Sequence, residues 1–260
     1  MAARTNGRDI LYVAAKAPRP GLAKTRLGRQ IGDASAIALY RAFLRDLGAR
    51  LAPLGARHGY ELGWYITPPD AWPEIGPLAA PHTMTDATDA IVLPQGPGDW
   101  TARQVALFAG AAGRGEGRTI LIASDSPQLP LATIVEAFRL LTEHDLVLGP
   151  VSDGGYYLIG MRGSHDVLGG IPMSTATVTR QIAARAAEQG LSVGWCAPIF
   201  DIDEADDLPQ LCRVAAARDD LPATRAALTA CGLFARHGSP FLTPPLTPLM
   251  FPGDGGSDDR

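Results

Sequence analysis

Short apolar runs bounded by turn residues alternate with longer stretches of helical period, and this alternation restricts the fold of the chain more than any other feature. A strand covered by helices on both faces reads as an unbroken apolar run, whereas a strand with one wet face alternates polar and apolar residues. The pattern predicts an α/β fold, a mostly parallel sheet with helices on both faces. Expected strands are Ile10–Ala15, Tyr60–Ile66, Ala90–Leu93, Thr119–Ala123, Asp145–Gly149, Tyr156–Met161 and Ser192–Cys196. Expected helices are Ser35–Leu51, with Asp33 as N-cap, Trp100–Ala112, Leu131–Thr142, Ser174–Gln189, Ala205–Ala217 and Pro222–Ala235. No internal repeat interrupts them.

At 260 residues the chain can bury a sizeable core without disulfides. Cys196, Cys212 and Cys231 are odd in number and far apart, with no C-x-x-C pair, which suits a reducing cytoplasm and small buried hydrophobes better than a thiolate metal site. The first residues are polar and too short for a signal peptide, and no apolar run reaches the roughly 20 residues of a membrane span. A soluble cytoplasmic protein is expected. Residues 1–238 read as one domain, and 239–260, proline-rich and then acidic, as a flexible tail. His58, His82, His144, His165 and His237 are scattered without a nucleophile or ligand partner, so no hydrolase triad is indicated.

Four stretches carry chemistry. The first expected strand opens into Lys16-Ala-Pro-Arg-Pro-Gly-Leu-Ala-Lys-Thr-Arg-Leu-Gly-Arg29, with no acidic residue between Ile10 and Gly32 in a chain of net charge −4. Leaving the carboxyl end of a parallel strand, Lys16, Arg19, Lys24, Arg26 and Arg29 reach the crevice where open α/β sheets bind ligands, and there cations suit phosphate groups. The alternative is a solvated basic turn. No basic stripe lies elsewhere, which argues against nucleic acid. In the second stretch, Ser124-Asp125-Ser126-Pro127, a carboxylate stands at the tip of a buried strand, where it could hold Mg²⁺ or Mn²⁺ with substrate phosphates completing the shell, or cap a turn. The third, Asp153-Gly154-Gly155-Tyr156-Tyr157, reads first as a hairpin turn with glycines at positive φ, and it carries Asp153 and the tyrosines to a neighbouring strand end. The fourth is Asp201-Ile-Asp203. Asp201 and Asp203 share a face of an extended segment, and one of them could give a metal its second carboxylate, whereas the helix dipole accounts for Asp206 and Asp207.

In order, Ala15-Lys16-Ala-Pro-x-Pro-Gly-x-x-Lys24-Thr25-Arg26-Leu27, Gln95-Gly-x-Gly-Asp99, Ser124-Asp125-x-Pro127, Gly149-Pro-x-x-Asp153-Gly-Gly-Tyr-Tyr157, Ile171-Pro-x-Ser-Thr175 and Asp201-Ile-Asp203 resemble a bacterial family of GT-A-fold transferases often labelled arsenosugar-biosynthesis glycosyltransferase. The resemblance spans roughly Asp9 to Arg213. Lys24-x-Arg26-Leu27 also resembles 2-phospholactate guanylyltransferases, and Asp201–Leu208 resembles a segment of sugar and molybdenum-cofactor nucleotidyltransferases. The resemblance implies a nucleotide-diphospho-sugar transferase fold and a nucleotide-dependent transferase. It implies nucleotide-binding residues at Ala15, Lys16, Lys24, Arg26, Gln95, Asp99 and Ser124, and a metal, Mg²⁺ or Mn²⁺, on Asp125 and Asp203. The chain departs from the family at Trp100-Thr-Ala-Arg103-Gln104, where Leu-Gly-x-Arg-Met is usual, at Ser126, where Cys is usual, and at Glu204-Ala205, which replaces Thr-Pro. The first departure bears on base or acceptor selectivity.

Two chemistries fit these residues. In nucleotidyl transfer, a small phosphorylated or anionic acceptor attacks the α-phosphorus of a nucleoside triphosphate, and Lys16, Lys24 and Arg26 stabilise the leaving pyrophosphate. In glycosyl transfer from a nucleotide-sugar, a nucleoside diphosphate leaves, and Asp153 orients or deprotonates the acceptor. The density of cations in the first loop favours the triphosphate. A non-catalytic nucleotide-binding protein would also keep the fold, but retention of Asp125, Asp153, Asp201 and Asp203 weighs against it. The base, the acceptor and the oligomeric state are left open.

Overall fold

The fold was analysed in a computed structural model, which describes residues 7–80, 90–173 and 175–234. The expected tail at 239–260, His82, His237, Ser174 and the expected helix end at Ala235 lie outside the described residues. β1 (Arg8–Lys16), β2 (Glu61–Thr67), β3 (Ile91–Pro94), β4 (Glu116–Ala123), β5 (Leu146–Pro150), β6 (Tyr156–Arg162) and β7 (Val193–Trp195) form a seven-stranded sheet of order β3-β2-β1-β4-β6-β5-β7. β6 runs antiparallel to both its neighbours, β4 and β5, while the other pairings are parallel. The expected mostly parallel α/β sheet is what forms.

Strand alternation divides the core. Leu11, Val13 and Ala15 of β1 face one layer, against α2 (Asp33–His58), α3 (Trp72–Ala79), α5 (Leu131–Leu140), α7 (Leu208–Ala217) and α8 (Pro222–Ala230). Ile10 and Tyr12 face the other, against α4 (Trp100–Ala111) and α6 (Val178–Glu188). Leu39, Phe43, Leu47 and Leu51 recur every fourth residue on α2 and are fully buried, each contributing about 1.5–3 kcal/mol by removal from water. Gly48 on the same helix lies against α3 so closely that a Cβ would fall 1.8 Å from the Ala79 carbonyl oxygen.

The helices depart from expectation in several places. α1 (Thr25–Ile31) lies inside the segment read as loop; it is one short element with Gly28 within it and no side-chain cap. α3 was hidden by Pro73, Gly76 and Pro77, although Pro73 lies in its first turn, where no N–H is required. α2 begins at Asp33 rather than Ser35, so Asp33 occupies the first turn and Gly32 is the cap. It continues past Leu51 and through Pro53, because Leu54 is still buried against the sheet. α6 starts at Val178, and Ala205–Asp207 is a 3-10 turn ahead of α7, whose first turn holds Pro209. In the β5–β6 hairpin only Gly154 has positive φ, not both glycines; a Cβ there would also meet the Ala176 carbonyl oxygen at 2.1 Å.

Candidate active site

The chain moves outward from β1 to β2 and β3, then returns to lay β4 on the other side of β1. Such a reversal opens a crevice at the carboxyl ends of the two central strands. A cavity of about 550 Å³ lies there, its lining including Lys16 from β1, Ser124 and Asp125 after β4, and Asp201 and Asp203.

Tyr40, buried on α2, joins the two strand ends. Its hydroxyl accepts the Lys16 backbone N–H at 2.9 Å and lies 2.8 Å from Ser124 Oγ. Burial, and then the neighbouring Asp125 carboxylate, raise its pKa.

Lys24 is the pivot. It precedes α1 with φ 50° and ψ 40°, the one non-glycine of positive φ among the described residues. That conformation costs about 1 kcal/mol, and such strain gathers at functional sites. It turns a side chain only 2% exposed into the crevice, where Nζ pairs with Asp125, lies 3.5 Å from Asp203 Oδ1 and donates to the Ile202 carbonyl. The carboxylates of Asp125 and Asp203 thus converge on one point. Arg26, 60% exposed, reaches Asp203 Oδ2 at 3.8 Å.

Carboxylate crowding shows in the acidities. Asp201 is pushed up to about 6, first by burial and then by repulsion from Asp203 and, more weakly, Asp153. Burial raises Asp203 as well, with Asp125 adding to the rise and Lys24 and Arg26 opposing it. Asp207 does more than face the helix dipole: its Oδ2 accepts the backbone N–H groups of Asp203 and Glu204, both at 2.8 Å, and so fixes the Asp203 segment.

The opposite wall comes from β3 and α4. Gln95 donates to the Tyr65 carbonyl at 2.8 Å and accepts from Arg103 Nη1 at 3.1 Å, while Arg103 Nε donates to the Gly98 carbonyl at 3.0 Å. Trp100 and Tyr156 complete this side, with the Tyr156 hydroxyl donating to Gln104 Oε1 at 2.9 Å. Tyr157, one residue on, points to the other face and donates to the Ala197 carbonyl.

Of the residues singled out from sequence, Lys16, Lys24, Arg26, Gln95, Ser124, Asp125, Asp201 and Asp203 meet at the crevice. Ala15, Asp99 and Asp153 are not among its lining. Ala15 points into the core as its strand neighbours alternate, and Asp99 caps α4 by accepting the Ala102 N–H at 2.8 Å. Asp153 accepts the Gly155 N–H at 2.9 Å inside its own turn. Arg19 turns away to a salt bridge with Glu74. Trp100 and Arg103, from the stretch where the chain departs from the resembled family, also line the crevice. Sequence reasoning missed Tyr40, which nothing local marks.

Asp125 and Asp203 are the carboxylates that could hold a divalent cation. Their hard oxygens suit Mg²⁺, and two such groups suffice where phosphates and water fill the shell. Among the described residues no three His, Cys, Asp or Glu side chains gather as a complete protein cage.

Residues 74–175 match a family described as "Uncharacterized protein conserved in bacteria (DUF2064)". A 3-phospho-D-glycerate guanylyltransferase of Phenylobacterium zucineum is 30% identical over 206 residues, covering 76% of this chain and 88% of the relative. The crystal structure of a protein of Desulfovibrio desulfuricans G20, provisionally assigned as a nucleotide-diphospho-sugar transferase, superposes with a TM-score of 0.76 at 28% identity, covering 88% of this chain and 97% of that one. A cytidylyltransferase of Leptospira borgpetersenii, at 8% identity and a TM-score of 0.50 over 91% of this chain and all of that one, shares the fold. No described helix is long and apolar enough to cross a membrane. With this fold, this crevice and these relatives, the chain belongs to the family of the 3-phospho-D-glycerate guanylyltransferase and is a transferase of the nucleotidyltransferase kind.

Proposed function

We propose that this chain transfers a nucleotidyl group, guanylyl first among the candidates, from a nucleoside triphosphate to a small phosphorylated hydroxy acid such as 3-phospho-D-glycerate. The observation that carries this reading is the meeting of Lys16, Lys24 and Arg26 with Asp125 and Asp203 in one crevice; the guanylyltransferase relative supplies the base and the acceptor class. An oxygen of the acceptor phosphate attacks the α-phosphorus, the bond from that phosphorus to the bridging oxygen breaks, and pyrophosphate leaves with the electron pair. Positioning and charge neutralisation are the whole of the protein's task in such a displacement.

Lys16 and the exposed Arg26, whose contact with Asp203 is long at 3.8 Å, are the cations best placed to meet the triphosphate, whereas Lys24 is engaged by two carboxylates. Asp125 and Asp203 would hold Mg²⁺ or Mn²⁺. When bound, the ion supplies Lewis-acid neutralisation of the phosphate oxygens. Gln95, Trp100, Arg103 and Tyr156 form the wall that would read the base or acceptor. The test is pyrophosphate release by the purified chain from each of the four nucleoside triphosphates, with Mg²⁺ and with or without 3-phospho-D-glycerate. Acceptor-dependent release from one triphosphate is expected; turnover of a nucleotide-sugar to nucleoside diphosphate, without pyrophosphate, would overturn the reading.

A further inference from the structure

Outside the crevice, Arg50 is a buried charged group with no part in the chemistry proposed above. Arg50 on α2 has a side chain 6% exposed, and burial lowers its pKa. Its Nη1 donates to the Pro127 carbonyl, its Nη2 to the Leu129 carbonyl at 2.7 Å, and its Nε pairs with Asp220 at 2.8 Å. Arg218 pairs with the same carboxylate through Nε at 2.8 Å and Nη2 at 2.7 Å, and its Nη1 donates to the Gln128 carbonyl. Three successive carbonyls of the segment just after Asp125 are thus gripped by two guanidinium groups that share one carboxylate.

The grip extends further. The Gln128 amide donates to the Phe200 carbonyl, and Ser126 Oγ reaches the same oxygen at 3.5 Å; Phe200 immediately precedes Asp201. Asp220 is itself held in place, because Asp46, buried one helical turn before Arg50, accepts the Ala223 and Thr224 backbone N–H groups at 3.0 and 2.8 Å. Hydrogen bonds from Arg218 and attraction to Arg50 hold the Asp220 carboxyl down to about 2, so it stays charged. One network therefore runs from α2 and the start of α8 to both segments that bear the converging carboxylates.

We propose that Arg50, Asp220 and Arg218 are positioning residues for the transfer reaction, setting Asp125 through the carbonyls of residues 127–129 that follow it and the Asp201–Asp203 segment through Gln128. This rests on the reading of Asp125 and Asp203 given above. A carbonyl of a flexible loop can be satisfied by water, so burying an arginine to take two of them is unnecessary for folding alone; it fixes the loop in one place. Partners that orient a ligating carboxylate typically govern metal affinity and turnover by about 10–100-fold.

The experiment compares full-length Asp220→Asn and Arg218→Lys with Asp125→Ala, each checked for folding by its melting curve. Mn²⁺ binding in the presence of GTP is read from the free-ion EPR signal, and kcat and KM from pyrophosphate release with 3-phospho-D-glycerate. The clamp variants should weaken Mn²⁺ binding and lower kcat by about 10–100-fold, with nucleotide KM moving less than about threefold. Combined with Asp125→Ala, they should add almost nothing to its loss, because the group they position is gone. If Asp220→Asn does not fold, Arg218→Lys decides, since Arg218 is partly exposed and keeps its charge. Folded clamp variants with wild-type Mn²⁺ affinity and kcat, beside an inactive Asp125→Ala, would overturn the clamp alone. Wild-type binding and turnover in Asp125→Ala would overturn the reading of the site, and the clamp with it.

Discussion

Lys24 shows how one residue can be located from sequence while its partners stay hidden there. Its place in an acid-free loop marks it as a candidate phosphate ligand, and the fold turns it inward between Asp125 and Asp203, where its charge holds two carboxylates together. Removing it leaves them repelling one another. Lys24→Ala should therefore cost about 1–3 kcal/mol of stability in metal-free protein, and millimolar Mg²⁺ should restore part of the loss, which urea titrations with and without Mg²⁺ will measure. An identical loss in both conditions would mean that the carboxylates do not share an ion. Arg26 is the complementary case, exposed and 3.8 Å from Asp203. Arg26→Ala should weaken triphosphate binding about tenfold or more and leave nucleoside binding unchanged, as read by calorimetry, because it removes a charge-assisted contact to phosphate alone. Equal losses for both ligands would assign it to the fold. The lining residues Lys16, Lys24, Arg26, Ser124, Asp125 and Asp203 were legible because chemistry and strand-end position coincide in them. Tyr40 was not, since its hydroxyl acts from the middle of a helix of apolar period and only the packing of α2 on the sheet brings it to Ser124.

Among the elements, strands were legible to within a few residues, because a strand buried on both faces announces itself as an apolar run bounded by turns. Short helices were not. α1 and α3 carry glycine or proline and no side-chain cap, so their formation depends on packing against α2 that local sequence does not encode. Asp145, expected as the start of a strand, illustrates a gain from tertiary contact. Its Oδ2 accepts from the Ser192 N–H at 2.9 Å and the Ser192 hydroxyl at 2.8 Å, and Arg162 pairs with Oδ1 at 2.7 Å, tying the starts of β5 and β7 to the end of β6. The bonds from Ser192 foremost, then Arg162, hold its pKa down to about 2. A carboxylate with its pKa lowered on folding contributes stability that is fully present above the unfolded value, about 4, and is lost as pH falls through the folded one. Asp145→Asn should thus cost about 1–2 kcal/mol at pH 7, a gap to wild type that closes as the pH approaches 2 in denaturant titrations. A gap constant across that range would assign the effect to packing instead of charge.

At the scale of the whole molecule, the sequence carried the sheet class, the family resemblance and, through the Asp153-Gly-Gly turn, the antiparallel β5–β6 hairpin, while the strand order and the antiparallel pairing of β6 with β4 required the structure. What the fold adds to function is convergence. The first loop, the end of β4 and the segment before α7 are separated by about a hundred and by nearly eighty residues, yet the reversal between β1 and β4 brings them within reach of one ammonium group. Cations concentrated at such a point are suited to a leaving pyrophosphate, because they stabilise charge that develops only as the bond at the α-phosphorus breaks. The most direct test is ³¹P NMR of the full-length protein incubated with GTP, Mg²⁺ and 3-phospho-D-glycerate. The expected result is a pyrophosphate resonance rising in step with a pair of coupled phosphorus signals from a new diphosphate that links guanosine to the acceptor. Products limited to guanosine diphosphate, with no pyrophosphate and no new diphosphate, would contradict it.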